Sequence, residues 1–301
     1  LQVMGEMDKL LEELHGKELP EQLLEFYFCV RDFLNIDELL DENYVVYAEM
    51  GEGGKVILRL FCVNPAANIH RCLEKGKSAV FFSATLLPMD YYRALLSTRK
   101  DDYGIYVTSP FRQENRCILT GRDVSSRYTR RGYEEYHRIA EYIARMSWQK
   151  KGNYMIFFPS YKLMEDVFEV YQEEFSADWV DCICQQASMN EREREGFLRE
   201  FQAQGEKTLL GFCVMGGIFS EGIDLIGDRL IGVAVVGTGI PQIGCEREIL
   251  KEYYDEKGEP GFEYAYRYPG MNKVLQAAGR VIRTKEDIGV ILLMDERFMN
   301  R

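Results

Sequence analysis

The chain has 301 residues, 46% hydrophobic and 29% charged, with a formal net charge of −12. That length fits about two domains of ordinary globular composition, and the acidic balance excludes diffuse attraction to a nucleic acid, so any such binding needs a local patch. No run of 18 apolar residues marks a transmembrane helix, and the start at Leu1 lacks the basic and apolar regions of a signal peptide. No membrane partner is therefore expected, and the expected location is cytoplasmic. A chain that starts on Leu rather than Met is read as a fragment or as one lacking its first residues.

Residues 1–43 carry a helical pattern: Leu10, Leu11 and Leu14, then Leu23, Leu24, Tyr27 and Phe28, follow the 3.6-residue period, and Pro20 starts a new helix. The pattern then switches to strands. Val45-Val46-Tyr47 and Val56 to Phe61 bracket Gly51-Glu52-Gly53-Gly54, a hairpin signal. This glycine-rich turn is not a phosphate loop, because it lacks the G-x-x-x-x-G-K-[ST] spacing and Lys55 is followed by Val56. A short helix is predicted over 65–74, a buried strand over 79–82 ending at Ser83-Ala84-Thr85, and a helix over 88–98. Charges, Gly104 and Pro110 mark 101–117 as a linker. Beyond it, apolar strand runs at 154–158, 179–183, 208–214, 230–236 and 288–294 alternate with helices at 130–149, 161–175, 190–204, 245–256 and 272–283. That alternation predicts an α/β fold, a parallel sheet with helices on both faces. The chain thus divides into a helical segment (1–43), a strand and helix segment (44–100), a linker (101–117) and one α/β domain (118–301).

The eight cysteines show no C-x-x-C, and Cys182-x-Cys184 has no second pair at metal-site spacing. Free thiols are expected and no metal site. Between 112 and 131 stand Arg112, Arg116, Arg122, Arg127, Arg130 and Arg131 against Glu114 and Asp123, a local excess of four positive charges. Such a stretch serves either as a solvated linker and helix start or as the flank of a nucleic-acid path.

The most informative stretch is Gln276-Ala-Ala-Gly-Arg-Val-Ile-Arg283. Gln276, Arg280 and Arg283 stand at i, i+4 and i+7, which predicts one helix face. Two guanidiniums on a rigid face suit a polyphosphate, a Gln beside them can position a water, and Gly279 allows close approach. The same spacing also fits a solvated helix face with a packing glycine.

Q-x-x-G-R-x-x-R resembles the last motif of superfamily 2 helicases, and its aliphatic pair before the final Arg resembles the Rad3/XPD/DinG branch. Four further segments resemble that branch in collinear order. They are Phe81-Phe82-Ser83-Ala84-Thr85-Leu86, Met155 to Tyr161, Gly216 to Asp224, and the strand from Val290 that ends in Asp295-Glu296-Arg297-Phe298. The resemblance implies a second RecA-like motor domain preceded by the end of an arch insertion and the last strand and helix of the first motor domain. No Walker A sequence and no D-E-x-H box is present, so this chain alone is expected to be inactive, the N-terminal motor domain of the same protein being its implied partner. An iron–sulfur cluster, common in the branch, is not expected here.

By that resemblance Arg283 is the arginine finger, Arg280 a second γ-phosphate contact and Gln276 the residue that orients water. Asp224, with Glu221, Gly222 and Gly279, lies near the nucleotide; without the resemblance Asp224 is also a fitting N-capping acid. Ser160 and Tyr161 are DNA contacts, although Ser160 equally suits a helix N-cap, and Arg130 and Arg131 flank the same path. Gln185-Gln186, before Ser188 and Asn190 at the start of a charged helix, mark another polar contact. Ser83 and Thr85 couple the two sites, or merely cap a strand end. ATP and Mg²⁺ are the implied nucleotide and ion, and single-stranded or forked DNA the implied track, moved along 5′ to 3′ with repair as the commonest role. Two other functions compete with this one: a non-catalytic RecA-like module that binds nucleic acid or a partner, and a nucleotide-binding regulator of another α/β class, which has no use for paired arginines.

Overall fold

The computed structural model describes residues 2–13, 20–99, 101–202, 205–219 and 225–299. In chain order the elements are α1 (Gln2–Glu13), α2 (Glu21–Asp37), β1 (Tyr44–Met50), β2 (Val56–Cys62), α3 (Ala66–Leu73), α4 (Met89–Leu96), β3 (Arg116–Gly121) and α5 (Tyr133–Ser147). There follow β4 (Asn153–Phe158), α6 (Tyr161–Glu174), β5 (Val180–Cys184), α7 (Glu191–Arg199), β6 (Thr208–Val214), β7 (Gly232–Val236), α8 (Cys245–Glu256), α9 (Tyr268–Ala278) and β8 (Gly289–Met294). A π-helical turn at Glu263–Arg267 leads into α9. No helix among the described residues is long and apolar enough to cross a membrane.

Two compact units form, and the chain passes between them more than once. The first holds α1 to α4 and α8. Its hairpin β1–β2 is antiparallel in the register Tyr44↔Cys62 to Met50↔Val56, around the predicted glycine-rich turn. Helix α8 falls in this unit and not against the parallel sheet, where the alternation of elements had placed it. Its polar groups account for the difference: Tyr253 donates to Asn43 Oδ1 at 2.6 Å and Tyr47 donates to Glu246 Oε1 at 3.0 Å. The strand expected over 79–82 is absent. Those residues take no regular secondary structure, with Val80 81% and Phe82 89% exposed, and no described strand lies beside them to take up their backbone groups.

The second unit is a six-stranded sheet in the order β3-β8-β7-β4-β6-β5, parallel throughout. This is the expected α/β, RecA-like arrangement. It forms because its central strands are apolar on both sides: every residue of β4, β6 and β7 is buried. The period of two sorts them. Tyr154, Ile156 and Phe158 join Ile139, Ile143, Leu163, Val167 and Tyr171 of α5 and α6 on one face. Met155 and Phe157 join Phe197 of α7 with Val274 and Ala277 of α9 on the other. From β4 the chain runs out through β5 and β6 to one side, then returns to β7 on the other. That reversal makes the carboxyl ends of β4, β6 and β7 a topological switch point, the usual place for a ligand crevice in an open parallel sheet.

Candidate functional site

The turns after β4, β5, β6 and β7 meet at the carboxyl edge of the sheet. Ser160 caps α6, its Oγ accepting the Leu163 N–H at 3.4 Å, and this places Tyr161 as the first helical residue. Gln185, the residue after β5, is only 3% exposed. Its Oε1 accepts the Val214 N–H at 2.9 Å and its Nε2 donates to the Tyr161 hydroxyl at 2.8 Å. A side chain at Gly217 would stand 2.9 Å from that Nε2, so a glycine is required for Gln185 to reach across. Gly216 takes φ of +73°, and a Cβ there would lie 3.4 Å from Cε of Lys273 on α9. Tyr161, Gln185, the glycine turn and the start of α9 therefore share one edge.

The segment after β3 reaches the same edge and is tied down by acids. Asp295, fully buried, accepts the backbone N–H and hydroxyl of Ser126, both at 2.9 Å, and the Arg297 guanidinium at 2.7 and 2.8 Å. Burial pushes its carboxyl up, but Arg297 and the Ser126 N–H outweigh that and hold it below the usual carboxylate range. Arg130 pairs with buried Glu135 at 3.1 Å and lies 3.8 Å from Glu296, while Arg127 lies 3.6 Å from Glu296. Arg131 sits over the Tyr128 ring at 5.5 Å. Two of the six arginines between 112 and 131, Arg127 and Arg130, are thus answered by acids within the domain.

The arginine motif is not one helix face. Helix α9 stops at Ala278, with Gly279 at its C-terminus, so Gln276 is helical, Arg280 lies in the following turn and Arg283 in the loop beyond. Asp287 explains the departure. Its Oδ2 accepts the N–H groups of Arg283 and Thr284, both at 2.7 Å, and its Oδ1 accepts the Thr284 hydroxyl at 2.8 Å and the Gly227 N–H at 3.2 Å. Those bonds draw the backbone away from the helix. Burial raises the Asp287 carboxyl, yet the N–H groups of Thr284 and Arg283 and the Thr284 hydroxyl prevail and keep it below its ordinary value. Arg280 is 8% exposed. The turn lies at the amino edge of the sheet, since a side chain on Gly289, the first residue of β8, would run into Val281. At the other end of α9, a Cβ on Gly239 after β7 would meet the Gly270 carbonyl at 2.6 Å. The 11 residues of α9, about 16 Å at 1.5 Å per residue, so join the arginine turn to the edge that carries Tyr161 and Gln185.

Glu221, Gly222 and Asp224 lie outside the described residues. Ser83 and Thr85 bond each other: the Thr85 N–H donates to Ser83 Oγ at 3.2 Å, a local turn on an exposed stretch. Asn190 begins α7 in a capping box with Glu193. No group of three or more potential ligands among the described residues could hold a metal ion. The thiols of Cys182 and Cys184 are pushed by burial to about 11 and about 12, away from the thiolate that a metal or nucleophile requires. Two residues that organise the site, Asp287 and Glu135, were missed in the sequence. For Asp287 the spacing Thr284-x-x-Asp287 was the available signal; for Glu135 there was none.

A family model described as the helicase C-terminal domain matches residues 143–301, more than half of the chain. The chain belongs to that family. It is 28% identical over 271 residues to a regulator of telomere elongation helicase 1 homolog of Drosophila ananassae, covering 82% of this chain and 27% of that protein. It is 24% identical to a probable ATP-dependent helicase of Methanocaldococcus jannaschii, covering 96% and 44%. It is 26% identical to the helicase subunit XPD/RAD3 of the general transcription and DNA repair factor IIH of Saccharomyces cerevisiae, covering 81% and 33%. The chain therefore spans less than half the length of these relatives. Among solved structures, an XPD helicase shares the fold with a TM-score of 0.63 at 18% identity, covering 93% of this chain and 53% of that one. The S. tokodaii Xpd4 structure gives 0.60 at 15% identity, covering 99% and 55%. The family-level resemblance is supported: this is the C-terminal part of a Rad3/XPD-type superfamily 2 helicase.

Proposed function

We propose that the chain is the C-terminal motor part of an ATP-dependent DNA helicase, which couples ATP hydrolysis to movement along single-stranded DNA and to duplex unwinding. The observation that favours this over a passive binding module is the pairing of two unlike edges by α9. At the amino edge, Arg280 and Arg283 stand on a turn held by Asp287. At the carboxyl edge stand Ser160, Tyr161 and the glycine turn. A module that only binds has no need of both.

Phosphoryl transfer demands positive charge where the γ-phosphate oxygens gain negative charge. In this proposal Arg283 supplies it as the finger, Arg280 is the second contact, and Gln276 orients the attacking water. ATP is the substrate, brought by the N-terminal motor domain, and Asp224, Glu221, Gly222 and Gly279 approach the nucleotide. Mg²⁺ supplies charge neutralisation between phosphates in such reactions, and no ligand set among the described residues is assigned to it. Ser160 and Tyr161 contact the strand, with Arg131 and the paired Arg130 beside them, and Ser83 and Thr85 link the two events. The test is strand displacement from a forked duplex by the full-length protein with ATP and with a non-hydrolysable analogue. ATP-dependent displacement, and little phosphate release by this chain alone, is expected. Strand binding without ATP hydrolysis would instead establish the passive module.

A further inference from the structure

We propose that Gln185 is a positioning residue that aims the Tyr161 hydroxyl proton at the nucleic-acid strand. The inference rests on the strand-binding role given above to Tyr161, and it follows from hydrogen-bond polarity. The Val214 N–H can only donate, so the Gln185 atom that faces it at 2.9 Å is the carbonyl Oε1. The amide nitrogen is then the end that faces Tyr161, at 2.8 Å, and it can only donate. The Tyr161 oxygen accepts that bond, so its own hydrogen points away from Gln185. No acceptor among the described residues takes that hydrogen, and Tyr161 is half-buried at the rim of the carboxyl edge. It is a directed donor for a phosphate or a base edge.

Gln185 itself does not reach a strand, because it is 3% exposed and both ends of its amide are engaged. The polar contact that the Gln185-Gln186 pair suggests in the sequence is thus exerted through Tyr161. The anchor of the arrangement is the backbone at Val214, where the glycine turn begins, and Gly217 leaves the room for it: a methyl there would stand 2.9 Å from the amide nitrogen and 3.1 Å from the Val214 carbonyl. The orientation of Tyr161 is consequently set by the conformation of the turn that leads into Glu221–Asp224.

The experiment is fluorescence anisotropy of a labelled oligothymidine with the full-length protein, comparing Tyr161→Phe, Gln185→Met and the double variant. Gln185→Met keeps the side-chain length and adds no charge. Tyr161→Phe is expected to weaken binding about tenfold, the scale of one hydrogen bond to a charged acceptor. Gln185→Met is expected to weaken it by up to the same factor, and the double variant to bind no worse than Tyr161→Phe. A purely structural Gln185 would lower binding equally in both backgrounds, so losses that multiply overturn the proposal, as does unchanged binding by Gln185→Met. If Gln185→Met does not fold, Gly217→Ala displaces the same amide and is read against Tyr161→Phe in the same way. Unchanged binding by Tyr161→Phe overturns the inference and leaves the helicase function standing, whereas no strand binding by the unaltered protein removes both.

Discussion

Replacing Asp287 by Asn tests whether the arginine turn is held in place by a buried carboxylate. The carboxylate accepts four hydrogen bonds, two from the backbone of Arg283 and Thr284, one from the Thr284 hydroxyl and one from the Gly227 N–H. An amide has one accepting end. With that end toward Arg283 and Thr284, its NH₂ faces the Thr284 hydroxyl, which can rotate to accept, and the Gly227 N–H, which cannot. One bond is lost and the other three change from charged to neutral. At roughly 1.5–3 kcal/mol for a charged bond and roughly 1 for a neutral one, the variant is expected to lose at least about 3 kcal/mol. The pH dependence has a fixed sign. The folded carboxyl lies below its ordinary value, so its stabilisation is complete above the unfolded value of about 3.9 and is lost as pH falls through the lower folded value. Asn does not titrate. Urea unfolding should therefore show the full gap between the two proteins at neutral pH and a closing gap in acid. A gap that is absent at neutral pH, or that persists unchanged into acid, refutes the assignment. In the full-length protein the same change should lower kcat for ATP by about 10², the scale for a catalytic group displaced by about 1 Å, with little effect on KM.

Arg283→Ala should reduce DNA-stimulated hydrolysis in the full-length protein by about 10³–10⁵ while nucleotide binding persists, because a finger acts on charge that grows in the transition state; equal hydrolysis by both proteins would remove the assignment. Arg130→Gln with Arg131→Gln should flatten the slope of log K against log salt for single-strand binding by no more than about 0.7, one phosphate's worth, since Arg130 is already bound to Glu135; a change twice as large would place both arginines on the strand. Gly232→Ala should destabilise the domain by about 1–3 kcal/mol, because the added methyl overlaps the Tyr154 ring and stands 2.8 Å from Val290 Cγ1; a thermal melt at the unaltered temperature would show that the core yields there.

The parallel sheet was legible because its strands are apolar on both faces, and a run such as Tyr154 to Phe158 has few other places to go. The hairpin was legible because Gly53 and Gly54 take positive φ in a short turn between two alternating segments. What could not be read was which neighbour completes an element. Residues 79–82 have the composition of a buried strand, but a strand needs a partner for its backbone, and periodicity says nothing about whether one is present. Helix α8 has the apolar spacing of a sheet-covering helix, but its Tyr253 joins it to Asn43 and its Glu246 accepts from Tyr47 of the hairpin instead. The same limit applies to charge. The run from Arg112 to Arg131 is basic in sequence, yet Glu135 and Glu296, one of them at the far end of the chain, answer Arg127 and Arg130.

The arginine motif shows why spacing alone misplaces a side chain. At i, i+4 and i+7, Gln276, Arg280 and Arg283 share a face only if the helix continues. The information that stops it lies partly in Gly279 and partly in Asp287, four residues beyond the last arginine. In a continuing helix the Arg283 N–H would go to a carbonyl one turn back. On the loop it donates to Asp287 instead, so the position of Arg283 is set by a carboxylate of the same domain and not by helix propensity. The helix that ends there is also the one that begins against Gly239 at the opposite edge, with Val274 and Ala277 packed into the core between. Close-packed interiors transmit displacement with little compliance. In the proposed motor, a shift of the arginine turn on the phosphate is then carried through α9 to Lys273 beside the glycine turn, whose backbone fixes Gln185 and through it Tyr161. Weakening the helix at a solvent-facing position, as in Leu275→Gly, should accordingly reduce the stimulation of hydrolysis by single-stranded DNA more than hydrolysis in its absence. Equal losses of both would place the coupling elsewhere.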